Sequence, residues 1–412
     1  MIGCTVQQLC NAVGGTLLQE SGAVVTEVST DSRSIPAGAL FVPLVGERFD
    51  GHDYLDAALA GGAAGCLTAK KPISLLDGKF YIQVPDTLEA LKALAAWYRD
   101  KFTIPMVQVT GSAGKTTTKE MIAAVLSQRF STLKTQANFN NAIGTPLTLL
   151  NLAPEHQAAV IETGMNHFGE IFENLQPGGL AVLNGDDELL SGLTLPFETV
   201  LCGQHKRCGV RVTNVAEHGI DGVTCTVTTA RDIYEVTIPS PGAYMIYPAA
   251  MAIAIGEHLG LTKAEMLAGI AAYRPVGSRM HLVRCSNDRI IIDDCYNANP
   301  QAMAEALRIL AQTEHPRRMA VLGDMGELGD LTEQAHRDMG TLARTLGLNT
   351  VVAIGPKAKA IQEADPDALW FPTVTEALPA IRAAFTAGTA VLVKASHAMH
   401  FTDIVKELES TE

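Results

Sequence analysis

The segment from Val107 to Thr118 constrains the fold most, because an apolar strand runs there into a glycine-rich turn followed by lysine and hydroxyl residues. Gly111 and Gly114 let the backbone bend so that several N–H groups point at one spot, and the following helix directs its positive dipole end there. Lys115 adds a charge for the β- and γ-phosphates, and Thr116 offers a hydroxyl for Mg²⁺. The pattern predicts a phosphate-binding loop in an α/β domain.

The loop is a shortened variant of the usual pattern, since Val109 stands where the eight-residue motif has a glycine. Its context supports the assignment, because an apolar strand precedes the loop and an apolar helix face follows it between residues 121 and 126. Chance glycines in an ordinary strand-to-helix turn are the alternative, which the Lys-Thr-Thr run disfavours. The residues expected to bind a nucleotide are Gly111, Ser112, Ala113, Gly114, Lys115, Thr116 and Thr117.

Length, charge and cysteine spacing limit the class of protein. A chain of 412 residues exceeds one ordinary core and predicts two or three domains. A formal net charge of −13 without a Lys/Arg run argues against a nucleic-acid or anionic-membrane surface as the main partner. The eight cysteines show no CxxC pair and no zinc spacing, and no targeting or membrane-spanning segment is evident. We therefore expect a cytoplasmic protein with reduced thiols.

The order of predicted elements divides the chain into three α/β parts. Residues 1–83 alternate short strands with glycine-rich turns and one helix over Tyr54–Gly62. Residues 84–276 begin with a helix over Thr87–Phe102 and predict a doubly wound domain around the phosphate loop, while residues 277–412 predict a Rossmann-like domain. The strands with predicted bounds are Ala158–Glu162, Leu180–Asn184, Arg289–Asp293, Met319–Leu322, Thr350–Ile354 and Ala390–Lys394.

Glu162 ends a buried strand, and open α/β sheets place their ligands at the carboxyl ends of strands. A carboxylate there pairs with the Thr116 hydroxyl and nucleotide phosphates around a hard cation, so we expect Glu162 and Thr116 to be ligands of Mg²⁺, with Glu162 and Lys115 among the catalytic residues. A solvated glutamate at a strand end is the alternative, and the phosphate loop disfavours it.

Two further polar segments are candidates for substrate contacts. The run from Asn138 to Pro146 is rich in amides, which orient substrates by hydrogen bonds, and Asn138 and Asn141 are its candidate catalytic residues. A loop of turn-forming asparagines is an equal alternative. Near the N-terminus, hydroxyls beside an arginine are candidates for binding an anion, although such a string is more often a polar turn. These residues are Ser29, Asp31, Ser32 and Arg33.

Polar loops leave several strands of the C-terminal part and should collect along one edge of its sheet. Acid, amide and arginine side chains at one of these strand exits suit contacts with ribose, base and phosphate, and the candidates there are Arg279, Asp294 and Asn297. The loops after two other strands supply the candidates for binding substrate, which are Asp324, Lys394 and Ser396. The histidines near candidate sites show no HExxH or triad spacing. A polar surface role is predicted for His167, His336, His397 and His400.

In their order along the chain, these motifs resemble the Mur ligase family. The matching segments are Thr-Asp-Ser-Arg at 30–33, Asp-Gly-His-Asp at 50–53, the phosphate loop and its helix to residue 121, Asn-Phe-Asn-Asn-Ala-Ile-Gly-Thr-Pro at 138–146, Glu-Thr-Gly-Met-Asn-His at 162–167, Asp-Asp-Cys-Tyr-Asn-Ala-Asn-Pro at 293–300 and Val-Leu-Gly-Asp-Met-Gly-Glu-Leu-Gly at 321–329. The resemblance implies three domains: one for a UDP-sugar-peptide, a central ATPase, and a C-terminal domain that closes over ATP and receives the amino substrate.

The resemblance also implies an ATP- and Mg²⁺-dependent amide ligase that acts as a monomer. ATP would phosphorylate the terminal carboxylate of UDP-N-acetylmuramoyl-tripeptide, and the amine of D-alanyl-D-alanine would attack the acyl phosphate. By this resemblance the phosphates lie on Gly111, Gly114 and Lys115. The nucleotide contacts are Arg279, Asn297 and, near the ribose, Asp294, and the uridine diphosphate end meets Ser32 and Arg33.

The chain departs from the family pattern after residue 171. Relatives carry a further strand and helix there, which supply a histidine for a second metal and a lysine that becomes carbamylated, and this chain skips them. His167 and Glu170 are the nearby candidates for replacing these groups. Tyr244 and Pro248 stand where relatives have histidine and asparagine, and Ala395 and His397 stand where they have glycine and arginine.

Two alternatives to a working ligase of this kind stay open. The first is a nucleotide- or UDP-sugar-binding relative that has lost catalysis together with the missing segment, and a Mg²⁺ requirement for turnover would separate the two. The second is a folate polyglutamylating ligase of the same broad architecture, which the segments at 30–33 and 293–300 disfavour.

Overall fold

A computed structural model describes most of the chain, namely residues 1, 3–72, 74–164, 175–176 and 178–410. The chain forms two compact units, of which the first comprises residues 1–119 and 129–176 and the second comprises 120–128 and 177–412. Within the described part, no helix combines the length and the apolar character needed to cross a bilayer. His167 and Glu170 lie outside the described residues.

The first unit alternates short strands and helices. Its strands are β1 (Cys4–Thr5), β2 (Thr16–Gln19), β3 (Val24–Val25), β4 (Val28–Ser29), β5 (Leu40–Phe41), β6 (Gly65–Thr68), β7 (Phe80–Gln83), β8 (Met106–Val109), β9 (Thr132–Lys134) and β10 (Ala158–Glu162). Its helices are α1 (Val6–Ala12), α2 (Leu55–Ala60), α3 (Thr87–Arg99), α4 (Lys115–Leu126), whose C-terminal part is assigned to the second unit, and α5 (Gly144–Leu150).

The N-terminal sheet has the order β2-β7-β6-β5-β4, and only β2 runs antiparallel to its neighbour. The helix predicted at 54–62 is observed as α2, after a 3₁₀ turn at Gly51–Tyr54. Helix α3 begins after Asp86, whose carboxylate accepts hydrogen bonds from two N–H groups of the first turn. It ends at Arg99 rather than at the predicted Phe102, because the chain tightens into a turn in which the Phe102 N–H donates to the Arg99 carbonyl.

The phosphate-loop sheet has the order β8-β10-β9, and all three strands are parallel. The central strand β10 is buried along its whole length, as its unbroken apolar run predicts. Its register pairs Glu162 with Val109, the last residue of β8. The predicted carboxylate therefore lies directly beside the point at which the phosphate loop begins.

The described residues of the second unit form two sheets. Its strands are β11 (Leu180–Asn184), β12 (Glu198–Gly203), β13 (Val210–Glu217), β14 (Val223–Thr228), β15 (Ile233–Ile238), β16 (His281–Cys285), β17 (Arg289–Asp293), β18 (Arg317–Gly323), β19 (Thr350–Ile354), β20 (Leu369–Phe371) and β21 (Thr389–Lys394). Its further helices are α6 (Glu188–Ser191), α7 (Ile246–His258), α8 (Lys263–Ala271), α9 (Pro300–Ala311), α10 (Thr332–Thr345), α11 (Lys359–Ala364), α12 (Val374–Ala384) and α13 (Thr402–Glu409).

The first of these sheets has the order β11-β12-β13-β14-β15, and the last three strands form an antiparallel meander. Strand β11 has the predicted bounds, but in the described residues it pairs with β12 and not with a strand of the phosphate-loop sheet. Short helix α6 between β11 and β12 makes them a parallel crossover unit, which explains the pairing. In β15, the side chains of Tyr234, Val236 and Ile238 are buried and their neighbours are exposed.

The C-terminal sheet has the order β16-β17-β21-β18-β19-β20, with β16 alone antiparallel to its neighbour. Alternate residues of its central strands join apolar clusters on opposite faces, so the sheet is covered on both sides. Strands β17 and β19 have the predicted bounds, while β18 and β21 begin two residues and one residue earlier than predicted. Because these strands are parallel, the loops after Asp293, Gly323, Ile354 and Lys394 collect along one edge, as expected.

Candidate functional site

The phosphate loop joins β8 to α4 through residues that require glycine. Gly111 has a φ of 150° and Gly114 a φ of 75°, both in the region that side chains with a Cβ avoid. The Lys115 ammonium donates to the Gly111 carbonyl at 2.6 Å, so the lysine folds back over the loop. Ser112 and Ala113 are exposed at the tip, and Thr117 lies in the first turn of α4.

Glu162 is held from three directions. Its Oε1 atom accepts hydrogen bonds from the Thr116 hydroxyl at 3.1 Å and from the Asn140 amide at 2.8 Å. Its backbone N–H donates to the Thr135 hydroxyl at 2.9 Å. The side chain is 2% exposed, so these contacts fix a buried carboxylate at the carboxyl edge of the sheet.

The second carboxylate oxygen of Glu162 faces a buried ammonium. Oε2 has no hydrogen-bond partner among the described residues, and the Lys119 Nζ lies 3.8 Å from it. Hydroxyl and carboxylate oxygens are the ligands that Mg²⁺ prefers, so Thr116 and Glu162 fit the predicted metal. In the described part of the chain, no group of three or more His, Cys, Asp or Glu side chains has metal-site geometry.

Neighbouring asparagines of the loop after β9 contact different partners. The Asn141 side chain accepts from the N–H groups of Ile143 and Gly144, at 3.0 and 2.8 Å, and leads the chain into α5. Asn138 is exposed. The sequence reasoning did not single out Asn140, the residue that contacts Glu162. Its place in the same asparagine run was the available signal.

The N-terminal candidates form a self-contained turn. The Arg33 guanidinium donates twice to the Asp31 carboxylate, at 2.9 and 2.8 Å, and this interaction lowers the pKa of Asp31 to about 2. The Ser29 hydroxyl accepts from the Asp31 N–H at 3.2 Å. The Arg33 side chain is 87% exposed, and Ser32 is half-buried beside it.

Three C-terminal candidates meet at the carboxyl edge. The Lys394 ammonium is buried and donates to the Asp294 carboxylate at 2.5 Å and to the Asn297 carbonyl at 3.0 Å. The other Asp294 oxygen accepts from the Met280 N–H at 3.0 Å. Burial raises the pKa of Asp294, and the charge of Lys394 opposes that rise.

Beside this ion pair, Arg279 stacks on an aromatic ring. Its guanidinium carbon lies 3.5 Å from the centroid of the Tyr296 ring, which His397 meets edge-on at a centroid distance of 5.6 Å. His397 and His400 are exposed, as predicted. The stack is a flat cationic surface of the kind that recognises bases and anions.

Asp324 and Ser396 are occupied by backbone contacts. The Asp324 Oδ1 accepts from the N–H groups of Lys357 and Ala358, at 3.0 and 2.8 Å, and the Ser396 hydroxyl accepts from the Gly326 N–H at 2.8 Å. They shape the loops at this edge.

The prediction of a surface role for His336 is wrong. The residue is fully buried, accepts from the Met325 N–H at 2.9 Å and contacts the Thr332 carbonyl at 2.6 Å. Burial lowers its pKa. Its spacing on the apolar face of α10 explains the burial.

The two departures in the segment after Pro241 are accommodated by packing. Gly242 has a φ of 100°, and a Cβ there would lie 2.3 Å from the ring of Tyr244. The ring therefore packs directly over the glycine. Pro248 is buried in the first turn of α7, where a proline costs little because the N–H groups of that turn have no partner within the helix.

Comparison with known proteins places these features in one family. The model described as "Mur ligase family, catalytic domain" matches residues 24–99, "Mur ligase middle domain" matches 109–170, and "Mur ligase, glutamate ligase domain" matches 278–397. The UDP-N-acetylmuramoyl-tripeptide–D-alanyl-D-alanine ligases of Escherichia coli and Bacillus subtilis are 32% and 31% identical to the chain, and each alignment covers 99% of both partners.

Solved structures agree with this result. MurF from Acinetobacter baumannii superposes with a TM-score of 0.92 at 27% identity, covering 99% of both chains. MurF from Thermotoga maritima in complex with ADP shares the fold, with a TM-score of 0.80 at 24% identity over 94% of this chain and 98% of that one. The alignment with the Escherichia coli protein extends over 460 positions although this chain has 412 residues, so that relative has residues without a counterpart here.

Proposed function

The chain belongs to the Mur ligase family, and from this membership we propose that it joins D-alanyl-D-alanine to UDP-N-acetylmuramoyl-tripeptide in an ATP-dependent step of peptidoglycan precursor synthesis. The observation that carries the proposal is similarity along the whole chain to two bacterial ligases named for this reaction. A phosphate loop beside a buried carboxylate supports the same chemistry.

The reaction needs an activated acid, because a carboxylate is a poor acylating agent. A carboxylate oxygen of the tripeptide attacks the γ-phosphorus of ATP, the bond to the β–γ bridging oxygen breaks, and ADP leaves. The dipeptide amine then bonds to the acyl carbon, phosphate leaves with the electrons of the C–O bond, and the amine gives up a proton. The main work of the protein is to align these groups and balance their charge.

The residues around the phosphate loop take distinct roles in this proposal. Lys115 and the loop N–H groups hold the phosphates, and Thr116 with Glu162 holds Mg²⁺, which when bound would neutralise charge on the phosphoryl group. Asn140 orients Glu162. The exposed amide of Asn138 faces substrate, and Asn141 shapes the loop that carries both amides.

The remaining candidates bind the other parts of the substrates in this proposal. Residues 1–83 hold the UDP end, 84–276 bind ATP and transfer its γ-phosphoryl group to the tripeptide carboxylate, and 277–412 receive the amino substrate, in a monomeric cytoplasmic protein. The UDP contacts are Ser29, Asp31, Ser32 and Arg33. The nucleotide contacts are Arg279, Asp294 and Asn297, and those for the amino substrate are Asp324, Lys394 and Ser396.

The test is phosphate release by the purified protein with ATP, Mg²⁺ and UDP-N-acetylmuramoyl-tripeptide, with and without D-alanyl-D-alanine. We expect release that depends on the dipeptide and on Mg²⁺, with a product whose mass is that of the pentapeptide. The Lys115→Ala variant should lose release, while Lys92→Ala, which removes a partly exposed lysine in α3, should keep it.

Two results would contradict the proposal in different ways. ATP binding that Lys115→Ala abolishes, without any phosphate release from the parent chain, would leave a nucleotide-binding relative without turnover. Release that depends on an amino acid rather than on the dipeptide would place the chain with another ligase of the same architecture.

A further inference from the structure

Lys119 stands in the candidate metal site without a role in the proposed reaction. It is fully buried, and its ammonium donates to the Thr135 carbonyl at 2.7 Å. The same threonine accepts from the Glu162 N–H through its hydroxyl. The lysine is thus bonded to the residue that follows β9, and its ammonium lies 3.8 Å from the carboxylate.

The spacing along α4 explains how one helix reaches both oxygens of Glu162. Thr116 and Lys119 are three residues apart and therefore share a helix face. Thr116 meets Oε1 at 3.1 Å, and the Lys119 Nζ lies 3.8 Å from Oε2. The carboxylate charge is consequently balanced by an ammonium inside the protein.

We propose that Lys119 is a positioning residue that makes divalent-cation binding at Glu162 conditional on the nucleotide. The inference rests on the proposed function. A carboxylate already paired with a buried ammonium is a weaker ligand for a lone dication, because the ammonium charge repels the metal and offsets part of the attraction that the carboxylate exerts on it. The phosphates of ATP add negative charge at the same edge, and the metal then binds together with them. Ordered binding of this kind keeps free Mg²⁺ out of the site between turnovers.

The experiment measures binding of Mn²⁺, used as a paramagnetic probe, by electron paramagnetic resonance on the full chain without nucleotide and with ATP. In the parent protein we expect weak binding without nucleotide and strong binding with it. In Lys119→Met, affinity without nucleotide should rise at least about tenfold, equivalent to about 1.4 kcal/mol, and the effect of ATP on affinity should shrink accordingly.

Matched variants distinguish the effect of the Lys119 charge on Mn²⁺ affinity from the effect of its packing. Lys119→Arg keeps the charge and should bind Mn²⁺ as weakly as the parent without nucleotide, whereas Lys119→Gln removes the charge and can still donate to Thr135. If Lys119→Met does not fold, Lys119→Gln carries the test. Lys92→Met is the control for loss of a lysine elsewhere in the first unit.

Several results of this experiment would contradict the proposed role of Lys119. Equal affinities of the parent, Lys119→Gln and Lys119→Met without nucleotide, with strong binding in the presence of ATP, would overturn the inference and leave the proposed function standing. The inference is also overturned if Lys119→Arg binds as tightly as Lys119→Gln. Failure of the parent to bind Mn²⁺ even with ATP would remove the proposed nucleotide-metal site and this inference with it.

Discussion

The buried ion pair between Lys394 and Asp294 should contribute measurably to the stability of the C-terminal sheet. At 2.5 Å and an effective dielectric constant of about 20, the Coulomb attraction is roughly 7 kcal/mol, and desolvation of the two charges offsets part of it. Lys394→Met leaves the Asp294 carboxylate without its counter-charge. We expect this variant to lose about 3–5 kcal/mol of unfolding free energy.

Unfolding in urea, followed by tryptophan fluorescence, measures this loss. The chain has two tryptophans, and Trp370 lies in β20 of the sheet concerned. A Trp97→Phe background therefore makes Trp370 the reporter, which matters because a chain with two compact units need not unfold in a single transition.

The double variant Asp294→Asn/Lys394→Met should recover most of the stability, because neither partner then leaves an uncompensated charge. Arg382→Met is the control, since it removes a cation from a half-exposed pair with Glu407 in the same part of the chain and should cost less than about 1 kcal/mol. The reasoning would be refuted if the losses of unfolding free energy from the two single substitutions added up in the double variant. It would also be refuted if Lys394→Met lost no more unfolding free energy than Arg382→Met.

Four further substitutions test individual residues of the sites. Gly114→Ala should weaken ATP binding, measured by calorimetry, because a φ of 75° costs a Cβ-bearing residue about 1–2 kcal/mol; unchanged affinity would contradict this. Asn141→Ala should lower thermal stability by about 1 kcal/mol at unchanged Mg²⁺ requirement, whereas Asn140→Ala should raise the Mg²⁺ concentration needed for turnover; the reverse pattern would restore Asn141 as the functional amide. Arg33→Leu should raise the pKa of Asp31 from about 2 towards 3.8, seen by carboxyl NMR titration. Because the folded pKa is depressed, the stability from this pair is present above pH 3.8 and is lost as the pH falls towards 2.

The bounds of the strands that carry the site could be predicted closely, because short apolar runs of this kind are typical of strands buried on both faces of a sheet. Strands β10, β17 and β19 are each five residues long and contain three or four consecutive apolar residues, and such runs fill the centre of a parallel sheet. The phosphate loop was predictable for a similar reason, since only glycines tolerate the φ values at its two bends.

Side-chain partners could not be predicted, because they depend on where a loop turns after its strand. Asn140 and Asn141 are adjacent and chemically identical, yet one contacts Glu162 and the other caps a turn. His336 carries a polar ring on a helix, and its contacts with the Met325 N–H and the Thr332 carbonyl make its burial favourable. The spacing of residues along a helix predicts which face a side chain lies on, but it does not predict which group that side chain contacts.

The contacts around Glu162 indicate which properties of the chain depend on the residues that it lacks relative to the Escherichia coli protein. Thr116, Lys119, Thr135 and Asn140 supply these contacts, and all come from α4 and the loop after β9, which precede Glu162 in the chain. The residues that the Escherichia coli relative has in excess therefore need not be present for this network to form. By the family resemblance, the missing segment after residue 171 bears on a second metal and a carbamylated lysine. Nucleotide binding and the first metal should accordingly be intact in this chain, and the rate of acyl transfer is the property that measures the effect of the shorter segment.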